Sequence, residues 1–71
     1  MASFHNSDVQ GAQLFYEDQF WDDFSVGKTL AVNTYPGHVW NVKIAGAQAK
    51  RWVIVEGQMQ QQYFLSKNDL D

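Results

Sequence analysis

The chain of 71 residues contains no cysteine, which excludes a disulfide framework and any metal site built on thiolates. No apolar run approaches the roughly 20 residues that a transmembrane helix needs, so we expect no membrane span. The net charge of −3 and the five dispersed basic residues do not form the basic surface that is typical of nucleic-acid binding. The N-terminal segment has neither the basic nor the apolar stretch of a secretory signal. We therefore expect a soluble domain, intracellular by default, without a nucleic-acid partner.

Aromatic residues are abundant: the chain has three Trp, three Tyr and five Phe. A chain of this length is close to the lower limit at which one hydrophobic core can stabilise a fold without disulfides or metals. We therefore predict one domain over residues 1–71, stabilised by aromatic packing. Ser66–Asp71 is predicted to be a polar tail.

Short alternating or β-branched segments, separated by turn-forming residues, predict a mainly β structure. The predicted strands are Phe4–Ser7, Ala12–Asp18, Thr29–Tyr35, His38–Ile44, Arg51–Glu56 and Gln58–Leu65. The small residues of Ala45–Ala49 predict a connection, and the acidic residues of Glu17–Asp23 predict a solvated turn. The run Arg51–Glu56 is typical of a strand buried on both faces. This pattern favours an all-β fold, either a small antiparallel β-sandwich or a partial barrel, and we expect the sandwich.

The segment Asn33–Val42 combines a turn with an imidazole and an indole. Pro36 fixes φ near the value required at the second position of a turn, and Gly37 tolerates the positive φ of a type II third position. The residues that follow alternate, so His38 and Trp40 share one face of a strand. The pattern alone favours a hairpin in which Trp40 is a core residue and His38 is incidental. The alternative is a binding cleft with both side chains in its wall.

Catalytic and metal sites are not indicated. The segment Val26–Thr29 resembles the end of a phosphate-binding loop, but Asp22 stands where that motif needs glycine, and a strand follows instead of a helix. His5 and His38 are too far apart for a metal-binding spacing, and the acidic residues lack the spacing of a calcium loop. No serine lies in a nucleophile motif. We expect no enzymatic activity, no metal and no cofactor.

The turn segment carries a family resemblance. Thr34-Tyr35-Pro36-Gly37-His38-Val39-Trp40 resembles the [S/T]-Y-x-G-H-x-W signature of the von Hippel–Lindau β-domain family. Upstream, Phe4–Ser7 resembles the opening strand of that family and Leu14–Asp18 resembles its aromatic second strand. Gly27 falls where the family has a glycine before the third strand. The likeness extends from about Phe4 to Ile44.

The resemblance implies a β-sandwich that recognises hydroxyproline in an extended peptide. Thr34 and His38 would stand where the family bonds the hydroxyproline hydroxyl, and Trp40 where a Trp walls the pocket. Tyr35 would help to line the peptide groove. The residues that the resemblance places at the ligand are Tyr16, Trp21, Thr34, Tyr35, His38 and Trp40. Asn41 departs from the family pattern, since it falls at an apolar core position.

Two functions of different classes follow. The first is a non-catalytic peptide- or protein-binding module whose partner is proline-hydroxylated. The second is a small structural subunit that uses the sandwich as an interface scaffold in a larger assembly. The stretch Gln60–Leu65 is the edge at which self-association is expected, although the pattern alone favours the solvated end of an edge strand.

Overall fold

The computed structural model describes residues 1–55 and 61–70 of the chain. Within these residues, seven strands form two sheets that pack together as a β-sandwich. The strands are β1 (Ala2–Asn6), β2 (Ala12–Tyr16), β3 (Gln19–Asp23), β4 (Thr29–Val32), β5 (Val39–Ile44), β6 (Ala47–Val53) and β7 (Gln61–Leu65). The all-β sandwich predicted from the sequence is therefore confirmed.

The smaller sheet has the strand order β4-β1-β7 and the larger sheet has the order β3-β2-β5-β6. Neighbouring strands are antiparallel except for β1 and β7, which are parallel. The parallel pair is anchored at both ends: Gln61 N–H donates to Met1 O at 3.1 Å, and Ser7 N–H donates to Leu65 O at 2.9 Å.

The core between the sheets is built around Phe4, which is fully buried. Its ring centroid lies 5.3 Å from that of Trp40, 5.2 Å from that of Trp52 and 5.3 Å from that of Tyr63. Trp40 and Trp52 belong to the larger sheet, whereas Tyr63 lies on β7 of the smaller one. Offset and tilted aromatic pairs of this kind add stabilisation beyond the area they bury. The aromatic packing that composition predicted thus joins the two sheets.

The predicted turn at Tyr35 is present. His38 N–H donates to Tyr35 O at 3.1 Å, and Gly37 has φ of 90°, as a type II third position requires. It is not a hairpin turn, because β4 and β5 belong to different sheets. The predicted strands on either side were too long: β4 ends at Val32 and β5 begins at Val39. The residues between them carry the chain from one sheet to the other.

The prediction of a connection over Ala45–Ala49 was wrong. Only Ala45 and Gly46 form the turn, with φ of 51° and 82°, and β6 starts at Ala47, which pairs with Ile44. Positive φ at both central residues is the geometry of a two-residue type I′ hairpin, which matches strand twist. Pairing with β5 therefore overrides the weak β-propensity of the small residues.

The prediction of an acidic turn over Glu17–Asp23 was also wrong. Only Glu17 and Asp18 turn, and the next five residues form β3, an edge strand paired with β2. The turn is bonded to β5, because Asn41 Nδ2–H donates to Glu17 O at 2.9 Å. Asn41 is buried, and this bond explains a polar residue at a position where the resemblance calls for an apolar one.

The remaining predicted bounds also need correction. The run from Arg51 is not buried on both faces: Trp52 and Ile54 are buried, whereas Val53 and Val55 are about half exposed, because β6 is an edge strand with one covered face.

The described part of the predicted last strand starts at Gln61; Glu56 and residues 58–60 lie outside the described residues. The first strand is Ala2–Asn6 instead of Phe4–Ser7. In the predicted tail, Lys67–Asp69 form a 3-10 helix and Leu70 packs against the core.

Candidate functional site

A recess of about 210 Å³ opens beside the turn that joins β4 to β5. It is lined by Tyr16, Trp21, Asn33, His38 and Trp40. Tyr16 and Trp21 come from the β2–β3 hairpin, and the other three come from β5 and the loop before it. Pockets for whole small molecules usually exceed about 300 Å³. The recess is therefore of a size that suits one side chain better than a complete ligand.

A chain of hydrogen bonds runs behind the recess. Trp40 Nε1–H donates to Thr34 Oγ1 at 3.0 Å, and Thr34 Oγ1 lies 3.0 Å from His38 Nδ1. Tyr35 N–H also points at His38 Nδ1, at 3.3 Å. Trp40 is only 1% exposed, and its buried N–H therefore needs the threonine oxygen as its acceptor.

This chain fixes the tautomer of His38. A backbone N–H can only donate, so the Tyr35 N–H requires a lone pair on His38 Nδ1. Because Nδ1 then carries no proton, the contact with Thr34 Oγ1 requires the Thr34 hydroxyl to donate to that nitrogen, while its oxygen accepts from Trp40. The ring proton of neutral His38 consequently resides on Nε2. The Nε2–H of the imidazole takes no part in the hydrogen bonds with Thr34 and Tyr35, and is therefore a donor that a ligand could use.

Aromatic rings form the walls at steep angles to one another. The centroid of Tyr16 lies 5.1 Å from that of His38 and 5.1 Å from that of Trp40, with interplanar angles of 70° and 54°. The Trp21 ring meets the Trp40 ring edge-on at 5.1 Å and 83°. Such contacts hold each ring in place and leave an apolar corner beside the His38 ring.

Trp21 reaches the recess because β3 contains a β-bulge. Leu14 pairs with Asp22 and Phe15 pairs with Phe20, so Trp21 is the extra residue of the longer strand. A bulge redirects a side chain and often lies next to a functional site. Trp21 is 50% exposed at the recess, whereas Phe20 is 55% exposed and contacts Phe15 edge-on at 5.7 Å.

The structure brings most of the predicted site residues together, though not all in the wall. Tyr16, Trp21, His38 and Trp40 line the recess, while Thr34 lies behind it as the link between two of these rings. Tyr35 is 68% exposed and its ring does not line the recess; it touches the His38 ring edge-on at 5.7 Å. Its backbone N–H matters more than its phenol, because that N–H sets the imidazole tautomer.

Asn33 also lines the recess, although no sequence pattern singled it out. Its only signal was its place directly before Thr34, at the end of a strand-like pattern. A polar residue there is common in loops for local reasons, and therefore did not distinguish a wall residue from an ordinary loop residue.

A wider depression of about 490 Å³ lies elsewhere, over Gly11, Ala12, Gln13, Asp23, Ser25 and Lys28. Its cation is already paired, because Lys28 Nζ lies 3.3 Å from Asp22 Oδ2. Gln13 Nε2–H reaches Asp23 Oδ1 only at 3.5 Å. The lysine and the amide of this depression are thus each engaged with a neighbouring carboxylate, so the smaller aromatic recess is the better candidate site.

Comparison with family models, curated proteins and solved structures gives no match for this chain. Among the residues that the structure describes, His, Asp and Glu side chains do not form a group of three that could hold a metal ion. The described part of the chain has no helix that is long and apolar enough to cross a membrane.

Proposed function

We propose that this protein is a non-catalytic peptide-binding module whose recess takes a hydroxyproline side chain from an extended peptide. The observation that carries the proposal is the hydrogen-bond chain from Trp40 through Thr34 to His38. It orients the His38 imidazole in the wall of a recess that is otherwise lined by three aromatic rings and the side chain of Asn33. The resemblance of residues 34–40 to the von Hippel–Lindau β-domain signature points to the same ligand.

The chemistry of the recess suits a hydroxylated pyrrolidine ring. The ring of hydroxyproline is apolar and compact, and the rings of Tyr16 and Trp21 offer apolar contact, with the buried ring of Trp40 at the base of the recess. Its hydroxyl oxygen would accept from His38 Nε2–H. Thr34 Oγ1 lies 3.0 Å from His38 Nδ1, so in this proposal the Thr34 hydroxyl orients the imidazole; the direct bond from Thr34 to the ligand hydroxyl is what the resemblance implies.

The His38 imidazole would discriminate hydroxyproline from proline. Unmodified proline would cover the Nε2–H of His38 without offering an acceptor, and a buried unsatisfied donor costs about 1–3 kcal/mol. That range corresponds to roughly 5–150-fold in affinity. We therefore expect a hydroxyproline peptide to bind more tightly than the otherwise identical proline peptide.

The test compares N-acetyl-4-hydroxyproline N-methylamide with its proline counterpart, titrated against the chain and followed by NMR chemical shifts. Extended peptides with the same central residue give a second pair. We expect tighter binding of both hydroxylated ligands, with shifts centred on His38 and Trp21. Equal affinity within each pair, or binding to neither member, would refute the proposal.

Two variants on one strand provide a matched control. Trp21→Ala removes a wall of the recess, whereas Phe20→Ala removes a ring of similar exposure that does not line it. The first should weaken the hydroxyproline ligand and the second should leave its affinity unchanged. His38→Ala should remove the preference for the hydroxyl, so that both ligands bind equally weakly.

A structural subunit is the second candidate, and the exposed apolar side chains favour it. Phe20, Tyr35, Val55 and Phe64 are all more than half exposed, and exposed aromatic groups of this kind are enriched in interfaces. Size-exclusion chromatography separates the two candidates: obligate association or insolubility of the isolated chain favours the subunit. His38→Ala should leave such an assembly intact while it abolishes hydroxyproline recognition.

A further inference from the structure

In residues 1–55 and 61–70 the sandwich has four edge strands, and they are protected to very different degrees. In the larger sheet, β3 carries Asp22 and Asp23 and is bulged at Trp21. At the other edge, β6 carries Lys50 and Arg51 and is bulged between its pairings with Val42 and Lys43. Bulges and charges are the devices by which proteins prevent edge-to-edge pairing. Both edges of the larger sheet are therefore unsuited to adding another strand.

The β7 edge of the smaller sheet has neither device. Its sequence, QQYFL, contains no charged residue and no proline, and its pairing with β1 has no register shift. The opposite edge, β4, is also uncharged and regularly paired, but it is only four residues long, and short edge strands are themselves a protection against pairing. Among the described residues, β7 is thus the longer of the two uncharged, regular edges.

Backbone directions on β7 show which groups this edge presents. The N–H of Gln61 and the C=O of Leu65 are bonded to the β1 side. Alternate residues of a strand direct their backbone groups to opposite sides. The N–H and C=O of Gln62 and Phe64 therefore point away from β1. They lie two residues apart, which is the spacing that an added antiparallel strand uses.

The side chains of the same two residues are held in place. His5 Nε2–H donates to Gln62 Oε1 at 2.8 Å, and the His5 ring stacks on the Phe64 ring at 4.8 Å and 16°. His5 Nδ1 in turn lies 2.9 Å from Thr29 Oγ1. Phe64 is nevertheless 61% exposed. This edge therefore presents an ordered, largely uncovered aromatic ring.

We propose that β7 pairs with β7 of a second copy of this chain, antiparallel across a two-fold axis at Tyr63. In that register Gln62 of each copy lies opposite Phe64 of the other, and their outward N–H and C=O groups bond reciprocally. The two smaller sheets become one continuous sheet. A second copy is the occupant that the edge favours, because a two-fold interface must be self-complementary and this strand brings no like charges together.

The pairing is independent of the hydroxyproline proposal. None of the five residues that line the recess lies on β7. A dimer formed in this way carries two recesses, and each keeps the wall residues of its own chain.

Sedimentation velocity over a wide concentration range tests the proposal, with Gln62→Pro and Gln62→Ala as a matched pair. Proline removes an outward N–H and is tolerated at an edge position that faces solvent. Alanine removes the same side chain but keeps the N–H. We expect the wild type and Gln62→Ala to dimerise, and Gln62→Pro to dimerise roughly tenfold more weakly or not at all.

Amide hydrogen exchange of the wild type gives a readout that needs no variant. The amides of Gln62 and Phe64 should exchange more slowly as the concentration rises, while those of β3 and β6 should not change. A wild type that stays monomeric at every concentration would overturn the proposal. So would undiminished dimerisation of Gln62→Pro, or concentration-dependent protection on β3 or β6 instead of β7.

Discussion

The Thr34 hydroxyl links two rings of the recess by hydrogen bonds, the indole of Trp40 and the imidazole of His38. Its oxygen accepts from the buried indole N–H of Trp40, and its proton is directed to His38 Nδ1. A hydroxyl can serve both because it donates once and accepts twice. The Thr34 hydroxyl therefore satisfies a buried donor and orients the His38 ring at the same time.

Thr34→Val is expected to damage both properties. Valine has nearly the same shape but leaves the Trp40 N–H without its acceptor, so the free energy of unfolding should fall by about 1–3 kcal/mol. The His38 ring also loses one of the two bonds that orient it, so the preference for hydroxyproline should shrink. Urea unfolding followed by tryptophan fluorescence, together with the ligand titration, measures both effects.

Thr34→Ser is the matched control, because serine keeps the hydroxyl and loses only the methyl group. It should retain the hydroxyproline preference. If the valine and serine variants preferred hydroxyproline over proline equally, the Thr34 hydroxyl would have no part in orienting His38 for the ligand.

At the scale of elements, the two residues of the β5–β6 turn differ in how readily they adopt a positive φ. Gly46 accepts its φ of 82° without strain, but Ala45 has φ of 51°, where an ordinary L residue loses about 1–2 kcal/mol. Asparagine occupies this region more readily, and Asn-Gly is a preferred type I′ pair. Ala45→Asn should therefore raise the free energy of unfolding by up to about 1 kcal/mol.

Ala47→Asn provides the comparison for that measurement. Ala47 is exposed two residues later, at the start of β6, where asparagine has no conformational advantage and is disfavoured by the strand. Thermal unfolding should show a higher midpoint for Ala45→Asn only. A gain of equal size in both variants would mean that the turn conformation is not its source.

Local chemistry explains which elements could be predicted from the sequence. The Tyr35 turn was predictable because Pro36 restricts φ and Gly37 permits a positive φ, and neither effect depends on the rest of the fold. The strand after it was predictable because Trp40 and Val42 alternate with less buried or polar positions. Sequence and resemblance together also placed Tyr16, Trp21 and His38 near one another.

Pairing between distant strands explains what could not be predicted. The bulge that directs Trp21 into the recess exists only in the pairing of β3 with β2, and adjacent aromatic residues do not alternate as a strand pattern should. The start of β6 depends likewise on β5 rather than on its own small residues. The tautomer of His38 depends on a backbone N–H, which every residue but proline supplies and which therefore leaves no trace in the sequence.

At the scale of the whole molecule, polar contacts join the two sheets on both sides of the aromatic core. On one side Lys28, just before β4, pairs with Asp22 of β3. On the other side Gln61 Nε2–H, on β7, donates to Val55 O at 2.6 Å, just beyond β6. The Tyr63 hydroxyl donates in turn to Gln61 Oε1. The phenol thus completes a link between the sheets as well as packing on Phe4.

Burial of Tyr63 makes the stability of the sandwich sensitive to alkaline pH. Desolvation raises the pKa of the Tyr63 phenol above its ordinary value of 10.0, so the folded state keeps a proton that the unfolded state releases above about pH 10. The contribution is complete below pH 10 and is lost as the pH rises through the folded-state pKa. The free energy of unfolding should therefore fall with pH in this window.

Tyr63→Phe separates this effect from general alkaline unfolding. At neutral pH the variant should be less stable by about 1–3 kcal/mol, because the buried Oε1 of Gln61 loses its donor. Above pH 10 the gap between the wild type and the variant should narrow, since only the wild type has a phenol to ionise at this position. Urea unfolding at pH 7, 9, 10 and 11 measures the gap directly. If this difference in the free energy of unfolding stayed constant up to pH 11, ionisation of Tyr63 would not contribute to the pH dependence of stability.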